Sequence, residues 1–506
     1  MPSFYDVVRA HAEATPEKLA LLSEQDGERS YGALAERSAR LAHGLSAELG
    51  VGIGERVCLW MWNRPEWVES SVAAAAAGCP IVPVNPEWAD AELAFVLGHS
   101  RARAIVCEPE RAERALALRA RCPELRHVLV AGGAAPADAI DFSALVAAAP
   151  ADAAARLREI PDWVPGQLMY TSGTTTGRPK AVSMRRELIV NGIDYHAIFG
   201  VSAADRGIFV TPLFHGNASG ALSSALIYGA SAVFQRRFSA RRFWALVDRT
   251  RPSYLFTLAQ IVHMLMGLPP GPHDRSHSLR VIVALGSGAS APAIEARYGV
   301  PVIDWYGMTE AGSGTFTRMH EERRPGSAGR PFPNSTICAL REDGSRAAPG
   351  EVGEICFDAG QIGFSGYVED AEATEVALRD GWFHTGDLGY FDADGFFYFV
   401  DRLKDVVRRA GENISSMEVE AVLREHPLLA DVAIVGRPDP VLGERVVAFA
   451  VPAQPGGPLP EPAELLVFAK GRLADYKLPE QLIALPELPR TATGKIEKFR
   501  LRRQLS

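Results

Sequence analysis

An apolar strand that passes directly into a loop of hydroxyls and glycines constrains this chain more than any other stretch. Residues 168–182 read Leu-Met-Tyr-Thr-Ser-Gly-Thr-Thr-Thr-Gly-Arg-Pro-Lys-Ala-Val, and the strand ends near Tyr170. Gly173 and Gly177 can take positive φ and turn backbone N–H groups toward an anion. Thr171, Ser172, Thr174, Thr175 and Thr176 add hydroxyl donors, and Lys180 adds a positive charge. Gly, Ser, Thr and Pro are also what surface turns are made of. The spacing is not that of the P-loop, whose lysine directly follows the second glycine and precedes Ser or Thr; here Arg178 and Pro179 intervene and Ala181 follows. The stretch reads as a phosphate cradle of another kind, at the end of a strand.

Further strand ends carry chemistry, which matters because ligands bind at strand-end loops in open α/β sheets. A strand over 280–285 runs into Gly286-Ser-Gly-Ala-Ser-Ala291, where Ser287, Gly288 and Ala289 are small enough for close approach of a flat ring. A strand over 301–305 leads to Tyr306-Gly-Met-Thr-Glu310; Tyr306 offers an aromatic face, and Thr309 and Glu310 offer oxygen ligands suited to Mg²⁺. Taken alone, that five-residue run is a strand-to-loop transition with a solvated glutamate. A strand over 207–211 ends at Pro212-Leu-Phe-His-Gly-Asn217, and a lone loop histidine such as His215 is more often structural than functional. Cradle, small-residue platform and acid together point to a nucleotide site.

At 506 residues the chain exceeds one ordinary core, so more than one domain is expected. Up to about residue 160, helical and strand patterns alternate: helix over 31–48, strand over 54–60, helix over 65–77, strand over 79–84. This is the order of parallel strands linked by helices. An alanine-rich connection follows over 134–158, and a helix is expected over 186–199. The last third is richer in strands: 352–357, 365–367, and 382–387 with 394–402 around an Asp-Gly turn at Asp394 and Gly395. A hairpin over 403–414 precedes a capping-box pattern, Ser415 with Glu418, opening a helix over 417–425. Strands over 431–435 and 446–451, a helix over 463–473 and a basic tail complete a compact α+β unit.

Net charge of −8 disfavours a nucleic-acid surface. No apolar run reaches the ~20 residues a membrane span needs. Residues 1–6 lack the pattern of a secretory signal. Six cysteines are scattered without a CxxC pair, as reduced cytoplasmic thiols would be. Cytoplasmic residence is therefore the expectation.

The stretch at 171–180, Tyr306-Gly-Met-Thr-Glu310, Thr385-Gly-Asp387, Asp401-Arg402 and Arg490-Thr-Ala-Thr-Gly-Lys495 occur in the order found in adenylate-forming enzymes. The chain resembles that superfamily, which spans acyl-CoA synthetases, peptide-synthetase adenylation domains and firefly-type luciferases, over nearly its whole length. It departs in two places: one more residue lies between the loop glycines, and Ala181 stands where Gly is usual. The resemblance implies a large N-terminal domain (1–402) of two doubly wound α/β subdomains plus a β-barrel, and a small mobile α+β C-terminal domain (403–506). It implies ATP, Mg²⁺ and coenzyme A as cofactors: a carboxylate attacks the α-phosphorus of ATP to give an acyl adenylate and pyrophosphate, and a nucleophile, usually the CoA thiol, then displaces AMP.

Carried over residue by residue, the resemblance assigns Tyr306 to stacking on adenine, with Ser287, Gly288 and Ala289 opposite and Asp304 near the exocyclic amine, where the family often has Asn. Asp387 and Arg402 would hold the ribose, Glu310 the Mg²⁺ and Thr309 a phosphate. Lys495 would bridge carboxylate and phosphate in the first step, where two anions otherwise repel. Lys404 matches the hinge between two domain orientations, Gly411 the glycine beside which the pantetheine thiol enters, and Arg408 and Arg409 are candidates for CoA phosphates. His215 falls where acyl- and aryl-CoA synthetases line the acid site; further walls are expected at 191–196, 256–260 and 311–314. Residues 212–220 contain no aspartate to pair with an α-ammonium, which disfavours an α-amino acid. The stretch 238–265 is similar to carnitine-type and medium-chain acyl-CoA ligases. The reading is a ligase for a small or medium organic acid, compatible with a homodimer. Rival readings are transfer to an amine or a carrier-protein thiol, activation of nitrite in diazotase-type chemistry, and a non-catalytic nucleotide-binding protein.

Overall fold

A computed structural model gives the fold and describes residues 2–170, 180–185, 198–333, 335–410, 412–470, 472–491 and 494–505. The loop at 171–179, Gly411 and most of the helix expected over 186–199 lie outside them. The chain divides into two compact units: Met1–Tyr170 with Ala181–Ser335 and Gly360–Thr374, and Thr171–Lys180 with Thr336–Ala359 and Glu375–Ser506.

The first unit holds two large sheets, each mostly parallel. One has eight strands in the order Phe364–Tyr367, Ala181–Arg185, Pro165–Tyr170, Ile81–Pro83, Arg56–Trp60, Ala102–Cys107, His127–Val130 and Ile140–Asp141, in which Ala181–Arg185 alone runs antiparallel to both of its neighbours. The other has seven, from Val302–Ile303 through Val281–Leu285, Tyr254–Leu258, Arg206–Phe209 and Ser231–Phe234 to Leu19–Ser23 and Gly27–Ser30. The helix Pro65–Ala77 begins on Pro at its first turn and stops at Gly78, which takes φ 70°. Its small residues are buried on nearly every side, and Trp67 and Val68 join a core shared by residues of both sheets, including Leu59 and Phe256.

Two elements differ from the expected order. The first strand, Leu19–Ser23, leaves the α/β alternation that follows it and pairs in parallel with Ser231–Phe234. The join is sealed by Tyr31, whose buried hydroxyl donates to the Ala230 carbonyl at 2.7 Å, and by Ser231 Oγ donating to Leu19 O at 2.7 Å. The segment expected at 365–367 belongs with the first unit, as Phe364–Tyr367 pairs with Val182 and Met184 rather than with the strand-rich last third. Edge pairing is decided by which sheet has an open edge, and a four-residue strand carries little signal about that.

In the second unit, Ile337–Leu340, Gly353–Asp358, Trp382–Phe391 and Leu378–Arg379 form an antiparallel sheet to which Phe397–Arg402 adds by a hairpin. Gly395 turns that hairpin at φ 81°, as the Asp-Gly pair implied. A second sheet follows in the order Glu412–Ile414, Val407–Arg409, Gly443–Pro452 and Leu429–Asp439, with Gln481–Ala484 alongside Gly443–Pro452. The capping box is half formed: Ser415 Oγ accepts from Glu418 N at 3.2 Å, but the Glu418 carboxylate goes to Lys477 Nζ at 2.7 Å. A full lysine charge outcompetes a backbone N–H for that carboxylate.

Candidate active site

Asp304 sits between the strands Val302–Ile303 and Trp305–Met308, 5% exposed. Its Oδ1 accepts from Gly286 N at 2.7 Å and Trp305 N at 2.8 Å, and its Oδ2 from Gly288 N at 2.7 Å. The carboxylate thereby shapes the small-residue platform. Burial pushes Asp304 up to about 6, against the pull of these N–H donors. Gly286 takes φ 80°, and a Cβ on Gly288 would meet Asp304 Oδ2 at 3.1 Å and the Gly326 backbone at 3.2 Å, so the close approach depends on glycine. Ser287 is fully buried with its Oγ unpartnered.

The run 306–310 is not a loop after a strand, as read from the sequence. Trp305–Met308 is itself a strand, antiparallel to Gly312–Phe316, with Arg330–Pro331 beyond it. A bulge at Tyr306/Gly307 makes this possible, and a Cβ on Gly307 would meet Gly312 O at 2.3 Å. Tyr306 is thus a buried strand residue, and Glu310 follows at the hairpin turn, 7% exposed. The Tyr367 hydroxyl donates to Glu310 Oε1 at 3.0 Å, while burial and the neighbouring carboxylate push that phenol up and keep it a donor. Tyr367 was not among the residues singled out from the sequence; its only signal there is a short apolar strand.

His215 caps the helix Gly216–Ile227, its carbonyl accepting from Ala218 N and Ser219 N at 3.1 Å each. Its ring lies 4.5 Å from that of Phe214, and its Nε2 is buried without a partner. Burial lowers the imidazole to about 4, so near neutral pH it is an uncharged hydrogen-bonding group. Asn217 Oδ1 is likewise buried and unpartnered.

In the second unit, Asp387 and Arg402 are direct partners on adjacent strands, with Arg402 Nε 3.1 Å from Asp387 Oδ1. Thr385 Oγ1 donates to Ile355 O at 2.6 Å and accepts from Asp387 N at 3.0 Å, which fixes the turn of chain ahead of the aspartate. Glu354, Cys356 and His384 cluster nearby on the same sheet. Arg379 Nη2 lies 2.8 Å from His384 Nδ1, so this donor group already faces a cation of the chain's own. Lys404 follows Arg402 by two residues, and burial lowers its amine to about 8.

Lys495 stands on a tight turn made by Thr491 and Gly494: Gly494 N donates to Thr491 O at 2.7 Å, and Thr491 N to Lys495 O at 2.8 Å. Gly494 takes φ 80°, the left-handed conformation that lets the chain reverse there. Desolvation by surrounding protein lowers the lysine to about 8, with Arg402 and Lys404 pushing the same way and Asp387 opposing. The residue placed near the C-terminus by sequence thus lies in the field of the Asp387–Arg402 pair. Lys180 leads into the strand Ala181–Arg185; Thr171, Ser172, Gly173, Thr174, Thr175, Thr176, Gly177 and Gly411 lie outside the described residues.

Residues 8–368 match the model of the AMP-binding enzyme family, and residues 418–495 that of the AMP-binding enzyme C-terminal domain. The chain belongs to the AMP-binding, adenylate-forming family. It is an ATP-dependent, AMP-forming acid–thiol ligase by the company it keeps. It is 33% identical to a sulfoacetate–CoA ligase of Cupriavidus necator, over 99% of this chain and 98% of the relative. Among solved structures it is similar to ATP-bound MatB from Rhodopseudomonas palustris, with a TM-score of 0.87, 25% identity and coverage of 99% and 98%. It is also similar to the amide bond synthetase McbA from Marinactinospora thermotolerans, with a TM-score of 0.85, 27% identity and coverage of 99% and 100%. The adenylate-forming fold accounts for both large parallel sheets and the antiparallel sheets that follow them.

Proposed function

We propose that this adenylate-forming ligase joins a small or medium organic acid to the α-phosphorus of ATP, with Lys495 offsetting the charge and pyrophosphate leaving, and passes the acyl group to coenzyme A with release of AMP. The observation that carries the assignment is Lys495 itself, an amine at about 8 set in the field of Asp387 and Arg402. At neutral pH it is mostly protonated, and a cation there offsets the repulsion between the incoming carboxylate and the α-phosphate. Asp387 and Arg402 take the ribose hydroxyls. Tyr306 takes the adenine, with Ser287, Gly288 and Ala289 as the opposing platform. Because the Asp304 carboxylate is engaged by three backbone N–H groups, its main part is to hold that platform in shape. The hydroxyls at 171–176 and Lys180 cradle the departing pyrophosphate.

Glu310 with Thr309 suits Mg²⁺: hard oxygen donors, with the carboxylate fixed by the Tyr367 hydroxyl. Mg²⁺ there would neutralise phosphate charge. His215, uncharged, lines the acid site. Lys404 serves as the hinge, Gly411 borders the pantetheine, and Arg408 and Arg409 meet CoA phosphates. A cytoplasmic home fits six cysteines that are all unpaired and buried, and among the described residues no helix is long and apolar enough to cross a membrane.

The test is pyrophosphate release with Mg·ATP across a panel of acids that includes sulfoacetate, malonate, carnitine, arylacetates and nitrite, each with and without CoA. Release with one acid, accompanied by its CoA thioester, is the expected result. Release without a thioester moves the acceptor to an amine, the reading that similarity to the amide bond synthetase supports. Silence across the panel overturns the ligase reading.

A further inference from the structure

Asp401 is the penultimate residue of the strand Phe397–Arg402 and is 2% exposed. Its Oδ1 accepts from Arg402 N at 2.7 Å. Its Oδ2 faces the other way along the chain and accepts from Ser416 N at 2.6 Å, Ser416 Oγ at 2.7 Å, Ser415 Oγ at 3.3 Å and Met417 N at 3.4 Å. These donors are the first turn of the helix Ser416–Leu423, which has orphan N–H groups and a partial positive charge to satisfy. Ser416 Oγ is also held by Lys498 Nζ, which pairs with Glu420 Oε1 at 2.7 Å. Lys498 is three residues beyond Lys495. The Asp401 carboxylate therefore connects, through one helix terminus, to the segment that carries Lys495.

The position of Lys404 gives this contact its meaning. Asp401 precedes Lys404 in the chain, and every partner of its Oδ2 follows it. Arg502 anchors the start of the segment beyond Lys404, donating to Lys404 O at 2.9 Å and to Asp405 Oδ1 at 2.6 Å. Turning residues 405–506 as a body about the backbone at 404 would pull Ser415, Ser416 and Met417 from the carboxylate. It would also take Lys495 out of the field of Asp387 and Arg402. One buried carboxylate and one catalytic amine thus share a single arrangement of the chain.

We propose that Asp401 is a positioning residue that latches the helix Ser416–Leu423 in the arrangement used for acid adenylation and releases it for thioester formation. The inference rests on the two-step ligase reading above. Its chemistry is that of a capped helix: several charge-assisted hydrogen bonds, strong together and lost together.

The test uses the full chain with Asp401→Asn, which keeps the shape and removes the charge, and Ser416→Ala, which removes one donor. Two half-reactions are measured separately: pyrophosphate release with acid and Mg·ATP, and thioester formation from supplied acyl adenylate and CoA. Asp401→Asn is expected to slow the first about 10- to 100-fold and leave the second unchanged or faster, with a smaller loss of about threefold for Ser416→Ala. An equal fall in both half-reactions, or no fall in the first, overturns the latch.

A substrate-free readout separates this failure from failure of the ligase reading. The pH midpoint for acylation of the Lys495 amine by a small anhydride is followed by mass spectrometry in each variant. In the unaltered chain the midpoint is expected at about 8. In Asp401→Asn it is expected to rise by about one unit or more as the lysine leaves its crowded setting. An unmoved midpoint sinks the latch whatever the enzyme's substrate. A moved midpoint in a chain that releases no pyrophosphate leaves the latch standing and removes the ligase assignment.

Discussion

Asp304 and Asp401 are both almost fully buried, and both commit their carboxylates to backbone N–H groups, yet they do different work. The donors to Asp304 are Gly286 and Gly288, on the loop leaving the strand Val281–Leu285, and Trp305, the next residue in the chain. The proposed pivot does not lie between acceptor and donors, so a turn about it would leave these contacts in place. The donors to Asp401 Oδ2 lie 14 to 16 residues along, beyond Lys404. On the latch proposal, the same hydrogen-bond chemistry makes a fixed template in one place and a releasable clamp in the other. What separates them is whether a rotatable stretch of chain joins the two sides.

The sharpest break of this comparison comes from the lysine that the proposed clamp would position. Lys495→Ala is expected to lower pyrophosphate release by about 10³-fold, the scale of losing one preorganised charge-stabilising group, while thioester formation from supplied adenylate stays nearly intact. Loss of both steps together would mean the lysine is structural.

Next comes stability. Asp304→Ala leaves three buried N–H groups without an acceptor and is expected to cost about 3 kcal/mol, read from the denaturant midpoint. Asp401→Ala is expected to cost about 1 kcal/mol, because its donors can reach water once the helix swings away. Equal losses would erase the distinction between template and clamp.

The pH profile follows. The proposed role of Lys495 is that of a cation, and its amine is lowered to about 8, so adenylation is expected to be fully present well below that pH and to be lost above it. The first half-reaction at pH 9 should run at about a tenth of its plateau. A profile flat to pH 10 would show that the amine is not held in its crowded setting.

The smallest effect concerns Tyr367. Tyr367→Phe removes one hydrogen bond to Glu310 and is expected to raise the Mg²⁺ concentration for half-maximal activity about fivefold, equivalent to about 1 kcal/mol. An unchanged Mg²⁺ dependence would remove Glu310 from the metal's surroundings.

Local chemistry was legible from the residues alone. Pro65 and Gly78 bracket their helix as capping rules require, and the Asp-Gly turn at 394–395 forms. Asp387 and Arg402 were paired by resemblance, and adjacent strands place them opposite each other. These features depend on neighbours within a turn or a hairpin, where propensity and steric rules act directly. The run 306–310 was misread as loop because its partner strand, Gly312–Phe316, is glycine-rich and carries no strand signature.

Contacts between distant segments belonged to the tertiary structure alone. Leu19–Ser23 joins a sheet built two hundred residues later, Tyr367 reaches Glu310 across 57 positions, and Glu418 abandons its own helix for Lys477. Asp401 meets Ser416 across the paired strands Val407–Arg409 and Glu412–Ile414 that lie between them in the chain. Each is a choice among several chemically acceptable partners. Amino-acid type determines what a group can bond to, whereas packing of the whole unit decides which acceptable partner is within 3 Å.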